Sequence, residues 1–355
     1  MRDTVTHPET ARRLTRRGML AAGGATALGA LLAACGSGGA KDAADAAGSP
    51  KAAPKNGPWT FTDDQPRTFS LPGTPRRVVA FTGTAAALVD FGVDRQIVGV
   101  FGETKTADGK PDPQAGELAV DKVEILGNAW GEFNIEKYAA LQPDLLVTHM
   151  YDPGAYWYLP DESKDKILKV NPNVAAITVA RVPMTQPIEH YAKLAESLGA
   201  DPGAKKVTDA KARFEAAAES MRQAAKAAGG IRVLACSGSA DLFYACNPQV
   251  STDLMYFAQL GVDLVVPDKP DAGGYYEGLS WENAGKYRAD LLLLDDRSTS
   301  LQPKDLAAKP AWGQLPAVKA GQITPWSSVP RFSYAGAAPL LERLAKDIRS
   351  ARKAG

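Results

Sequence analysis

The sequence predicts an α/β protein built as two Rossmann-like lobes with mostly parallel sheets, joined by a single long interdomain helix. Three features carry that expectation: one pattern of elements occurs twice, short apolar runs alternate with helical segments in both copies, and an Ala-, Lys- and Glu-rich stretch with no interior proline lies between them.

The two copies match at identical spacing. Asn134-Ile135-Glu136 is followed by Ala139-Ala140-Leu141 and then Pro143-Asp144-Leu145-Leu146-Val147, and Ser280-Trp281-Glu282 is followed by Ala284-Gly285 and then Ala289-Asp290-Leu291-Leu292-Leu293-Leu294. Asn134 and Ser280 suit the cap of a short helix, and Glu136 and Glu282 suit the positive end of its dipole. The continuous apolar run that follows is the mark of a strand buried on both faces. Upstream, Phe91-Gly92-Val93-Asp94 and Leu260-Gly261-Val262-Asp263 stop helical stretches over 85–91 and 253–260 with a glycine in the left-handed position. Strands over 97–100 and 264–266 follow.

Between the copies, Ile188, Tyr191, Leu194, Ala195 and Leu198 recur at helical spacing, predicting an amphipathic helix over 185–198 that carries His190. The segment 202–228 then reads as one long helix ended by Gly229-Gly230. Helical over about 24 of these residues, at 1.5 Å per residue, it spans about 36 Å, enough to pass from one lobe to the other as a stiff connection.

The chain has 355 residues, 41 basic against 40 acidic, and 45% hydrophobic. That length buries a real core without staples, and so near a charge balance gives no pull towards nucleic acid. The first 34 residues differ in composition. Arg12, Arg13, Arg16 and Arg17 precede an uncharged stretch over 19–34 broken by glycines, too short for a stable membrane span. Thr15-Arg16-Arg17-Gly18-Met19-Leu20 resembles a twin-arginine export motif and Leu32-Ala33-Ala34-Cys35 a bacterial lipobox. These resemblances imply cleavage before Cys35, lipidation of its sulfur, and a protein anchored at the extracytoplasmic face of the cell membrane. Residues after Cys35, up to 58, contain no aromatic and no aliphatic larger than Ala and read as a flexible tether. The expected organisation is therefore signal 1–34, tether 35–58, first lobe 59–201, linking helix 202–229 and second lobe 230–355.

Cys236 and Cys246 remain in the exported part. Strands over 231–235 and 242–245 around Ser237-Gly238-Ser239-Ala240-Asp241 would set them opposite one another, and a cross-hairpin disulfide is expected. Catalytic groups are sparse: there is no Gly-x-Ser-x-Gly elbow, no phosphate loop, and only His149 and His190 after the signal. Neither an enzyme nor a bare-metal site is expected. Aromatic and guanidinium groups instead follow the predicted strands. Thr84, Trp130, Tyr151 and Arg181 do so in the first lobe, and Tyr275, Tyr276, Arg297, Trp326 and Arg331 in the second. They suit a cleft for a large, partly apolar ligand with a few polar groups.

The chain resembles class III solute-binding lipoproteins of ABC importers, which bind ferric siderophores, haem or vitamin B12. The resemblance covers nearly all of 59–350 and rests on Arg76-Arg77-Val78-Val79-Ala80, Phe91-Gly92-Val93, Ile97-Val98-Gly99-Val100, Leu126-Gly127, the two repeat copies, Leu260-Gly261-Val262 and Leu279-Ser280-Trp281-Glu282. It implies that Glu136 and Glu282 dock onto arginines of the permease, and that Trp130 and Arg181 contact ligand. It further implies a carrier of an iron(III)-siderophore complex that needs no cofactor and works with an ABC permease and its ATPase; as a tethered carrier the protein is expected to be a monomer. Few basic residues stand at the candidate strand ends, which favours a hydroxamate or mixed chelate over a tricatecholate. Two alternatives stand beside this reading: a haem-binding protein using His149 with Tyr275 or Tyr276 as axial ligands, and an exported enzyme or surface interaction module.

Overall fold

The computed structural model describes residues 57–297 and 300–354. The export signal, Cys35 and all but the last residues of the tether lie outside the described residues. An antiparallel hairpin opens the described chain, β1 (Trp59–Thr62) and β2 (Thr68–Leu71). The Trp59 indole in it donates to Ser197 Oγ at 3.1 Å.

The first lobe contains β3 (Val78–Phe81), β4 (Ile97–Phe101), β5 (Glu124–Gly127), β6 (Leu145–Met150) and β7 (Val174–Thr178). They form an all-parallel sheet in the order β5-β4-β3-β6-β7. Central β3 and β6 are buried along their whole length, as continuous apolar runs require. Helices α1 (Thr82–Asp90), α2 (Ile135–Ala140), α3 (Asp161–Val170) and α4 (Thr185–Ser197) connect the strands. α1 stops at Gly92, whose φ of +100° is the left-handed conformation expected there. Asn134 caps α2 as expected, its Oδ1 accepting the Lys137 amide at 2.9 Å.

The chain then enters α5 (Lys205–Ala227), 23 residues long and so about 35 Å. This helix links the two sheets. It packs along the last helix of the chain, which closes the second lobe.

The second lobe runs through β8 (Arg232–Gly238), β9 (Leu242–Cys246), α6 (Thr252–Gln259), β10 (Asp263–Leu264), β11 (Tyr276–Ser280) and β12 (Leu291–Asp295). Three short proline-initiated helices follow, α7 (Pro303–Leu306), α8 (Pro310–Gln314) and α9 (Pro316–Lys319), then β13 (Ile323–Trp326) and α10 (Tyr334–Ser350). The strand order is β11-β9-β8-β12-β13, with β10 beside β8. β10 and β12 pair parallel with β8, and β13 parallel with β12, whereas β9 pairs antiparallel with both β8 and β11. The two lobes thus share the helix-stop-strand pattern but not the whole sheet. Gly261, at φ +94°, ends α6 as Gly92 ends α1.

Two local expectations need correction. Ser280 makes no side-chain cap to the 3-10 turn Trp281–Lys286; its hydroxyl accepts from the Asn283 side chain at 3.0 Å instead. Cys236 and Cys246 are free and buried, with no disulfide. The reason is parity: Cys236 lies opposite Ala245, one residue short of Cys246. Adjacent side chains of a strand face opposite ways, so Cys236 joins the core that holds Trp281 and Leu306, while Cys246 joins that of Tyr256 and Trp326.

His149 also departs from its expected place. It is 0% exposed, its ring packed at 4.9 Å from Phe81 and 5.3 Å from Phe332, and neither ring nitrogen has a hydrogen-bond partner. It does not line the cleft described below, so the axial ligand required for the haem reading is sealed in the core. Burial pulls the imidazole down from 6.5 to about 3. The unfolded chain therefore takes up a proton that the native chain refuses, and stability present above about pH 6.5 is lost as the pH falls towards 3, at about 1.4 kcal/mol per pH unit. Denaturant unfolding at pH 7.5 and pH 5 should show the native chain losing about 2 kcal/mol more than His149→Phe. Equal losses would contradict a buried neutral histidine.

Candidate functional site

β6, β7, β12 and β13 all end at one side of the molecule, where α/β sheets present their loops to ligands. The residues after them enclose a cleft of about 220 Å³. Tyr151, Asp152, Trp157 and Val179 form the first-lobe wall; Val250 to Asp253, Tyr275, Tyr276, Arg297 and Ser328 to Pro330 form the opposite one. A groove of about 300 Å³ lies elsewhere on the first lobe, between α1 and residues 117–123. That groove is larger but has no aromatic residue in its lining, so we take the interlobe cleft as the site.

Arg297 is set by the strand that precedes it. β12 ends at Asp295, whose carboxylate is wholly buried and accepts from Arg297 Nε at 3.0 Å and Nη2 at 2.7 Å. Hydroxyls of Ser237, Ser300 and Ser328 add bonds of 3.1, 2.8 and 3.0 Å. Burial alone would raise the Asp295 carboxyl; donation and charge from Arg297, with Ser300, outweigh it and hold the group below the ordinary carboxylate range. The guanidinium bonds to Asp295 use Nε and Nη2, not Nη1, so the fork is held rigidly on one side.

The aromatic wall is placed by a loop that folds back onto β6. The Trp157 amide donates to His149 O at 3.0 Å, and Thr148 Oγ1 donates to Trp157 O at 2.8 Å. Trp157 consequently packs 4.4 Å from Tyr151 and 4.8 Å from Trp130. The Trp157 Nε1 donor is buried and has no acceptor. Burial pushes the Tyr151 and Tyr276 hydroxyls well above their ordinary value, so the cleft presents neutral phenols.

The lobes are stitched together beside the cleft. Arg181 N donates to Val250 O and Met184 N to Thr252 O, both at 2.9 Å. Arg181 itself sits at a left-handed φ of +59°, unusual for a residue with a side chain. Its guanidinium reaches Asp152 Oδ1 at 2.9 Å, Tyr275 Oη at 3.0 Å and Gly273 O at 2.7 Å. It ties the two walls and is not itself part of the cleft lining.

Of the residues singled out in the sequence, the structure brings Tyr151, Tyr275, Tyr276 and Arg297 together. Trp130 is 64% exposed and stands at the rim. Thr84 is buried against Tyr191 Oη at 2.9 Å, and Arg331 ion-pairs with Asp90 at 2.7 Å. Trp326 is buried behind the cleft, its indole donating to Asp253 at 2.5 Å. None of these last three lines the cavity. Asp253 and its neighbours Val250, Ser251 and Thr252 do, and were missed because they read only as the start of a helix. Glu136 and Glu282 are exposed in the first turns of their short helices. Among the described residues, no group of three or more His, Cys, Asp or Glu could hold a metal ion, and no helix is long and apolar enough to cross a membrane.

Residues 78–330 match the family model described as periplasmic binding protein. The crystal structure of DesE, a ferric-siderophore receptor protein from Streptomyces coelicolor, is 52% identical with a TM-score of 0.80, the match covering 84% of this chain and 100% of that one. The triscatecholate siderophore binding protein FeuA from Bacillus subtilis, complexed with ferri-bacillibactin, is similar in fold at 19% identity and a TM-score of 0.60, over 81% of this chain and 97% of that one. Comparison with curated proteins gives no match. The matched segment spans both sheets and the helix between them, and the chain belongs to the periplasmic binding protein family.

Proposed function

We propose that this chain is the siderophore-binding component of an ABC importer, capturing a ferric chelate in the interlobe cleft and delivering it to the permease without chemistry. The observation that carries the reading is the cleft wall itself: three tyrosines and Trp157, one fixed guanidinium in Arg297, and an indole donor with no acceptor. Such a wall suits a bulky chelate whose periphery is partly apolar and whose oxygens accept hydrogen bonds. The 52% identity with a ferric-siderophore receptor points the same way.

Charge favours a hydroxamate or mixed chelate. Arg297 is the one basic residue in the lining, and Asp295 already matches it. A ferric triscatecholate would bring three negative charges against that wall with nothing to offset them. Lobe boundaries at 59–201 and 230–355, with 202–229 between them, fit the two sheets. Export through the twin-arginine motif and anchoring at Cys35 would place a monomer at the outer face of the cell membrane. The exposed Glu136 and Glu282 offer one carboxylate per lobe to permease arginines.

Titration of residues 36–355 with ferric chelates, read by tryptophan fluorescence, tests the binding claim. We expect saturable quenching by a ferric trihydroxamate, weakened about 10-fold or more in Arg297→Met, and no saturation by haemin. Saturation by haemin alone, or by nothing, would overturn it. For docking, Glu136→Lys with Glu282→Lys should leave chelate affinity unchanged and cut uptake about 10-fold in a reconstituted importer. Undiminished uptake would remove the two glutamates from the interface.

A further inference from the structure

We propose that the cleft selects a chelate bearing a positively charged amino group, and that Asp253 is the residue that makes the selection. This deepens the siderophore reading and rests on it. Asp253 lies in the first turn of α6, is 1% exposed, and belongs to the cavity wall. Its Oδ2 accepts from Trp326 Nε1 at 2.5 Å, and among the described residues no cation pairs with it.

The other charges around the cleft cancel in pairs. Arg297 is matched by Asp295 at 2.7 Å and Arg181 by Asp152 at 2.9 Å. Among the described residues, Asp253 is the one charged residue of the lining without an ion pair: besides the Trp326 indole, only the backbone amides of Leu254 and of Asp253 itself face its carboxylate. A buried carboxylate without a counter-ion is held at a cost. Burial accordingly pushes the carboxyl up to about 6, so that protonation answers part of that cost only in mildly acidic solution. A ligand ammonium would meet it better, by a charge-assisted hydrogen bond in a site shielded from water.

The match to a hydroxamate is specific. Iron(III) with three hydroxamates is neutral, so a primary ammonium on the ligand's tail gives the complex the single positive charge that the site lacks. A chelate with the same iron centre and an acylated tail keeps its shape and loses that charge.

A matched pair of ferric chelates provides the test: a linear trihydroxamate ending in a primary amine, and the same compound with the amine acetylated. Isothermal titration of the full exported chain at pH 7.5 should give about 10-fold or tighter binding for the amine form. In Asp253→Asn, which can still accept from Trp326, the two forms should bind within about twofold of each other. Equal binding of both forms by the native chain would overturn the proposal, and that ratio decides the matter even where the variant does not fold. A variant that weakens both forms alike would overturn it too, assigning Asp253 to holding Trp326 alone. Binding of neither form would overturn the siderophore reading, and this inference with it.

Discussion

Burial of the Asp295 carboxylate at the end of β12 is the interaction on which the site depends. An ionised carboxylate out of water is tolerated only when its lone pairs and its charge are both answered. Here Ser237 answers from β8, Ser300 from the loop beyond β12, and Ser328 from the segment after β13. Three separate stretches of the second lobe are thereby drawn to one point, and Arg297 is fixed against it. Removing the carboxylate would release the guanidinium and the loops together, so the geometry of the cleft is a property of the strand ends more than of any ligand contact.

The stiffness of the frame bears on how such a cleft can work. α5 runs as a continuous helix between the sheets and packs along α10, and the lobes are further joined by backbone bonds from Arg181 and Met184 to Val250 and Thr252. The Arg181 guanidinium adds a polar tie from Asp152 to Tyr275 and Gly273 across the edge of the cleft. A wide hinge motion would have to break all of these, whereas small rotations of side chains such as Trp157 and Trp130 break none. The architecture suits capture in a largely preformed site, in which a rigid aromatic wall lowers the ordering cost of binding.

Much of the architecture was legible in the sequence because it rests on local rules. Glycine stops, an asparagine cap and buried apolar runs fixed where the helices end and the central strands begin. What could not be read was parity and depth. The two cysteines were expected to face each other, yet a single residue of register puts them on opposite faces of the sheet. Thr84, Trp326 and Arg331 stand near strand ends as expected, but their side chains turn inward to Tyr191, Asp253 and Asp90. Asp253 escaped notice for the converse reason: an acidic residue opening a helix needs no further explanation in sequence, and only the fold shows it lining a cavity whose one guanidinium is already paired with Asp295. The repeat likewise hid a difference, since the second copy carries the antiparallel β9 and β11 where the first has parallel strands.

Hydrogen–deuterium exchange of the exported chain, with and without a saturating ferric trihydroxamate, tests most directly that the interlobe cleft is the binding site. Protection is expected to concentrate in residues 151–158, 250–253, 275–276 and 328–330, with the groove between α1 and residues 117–123 unchanged. Protection of that groove, or of neither region, would contradict it.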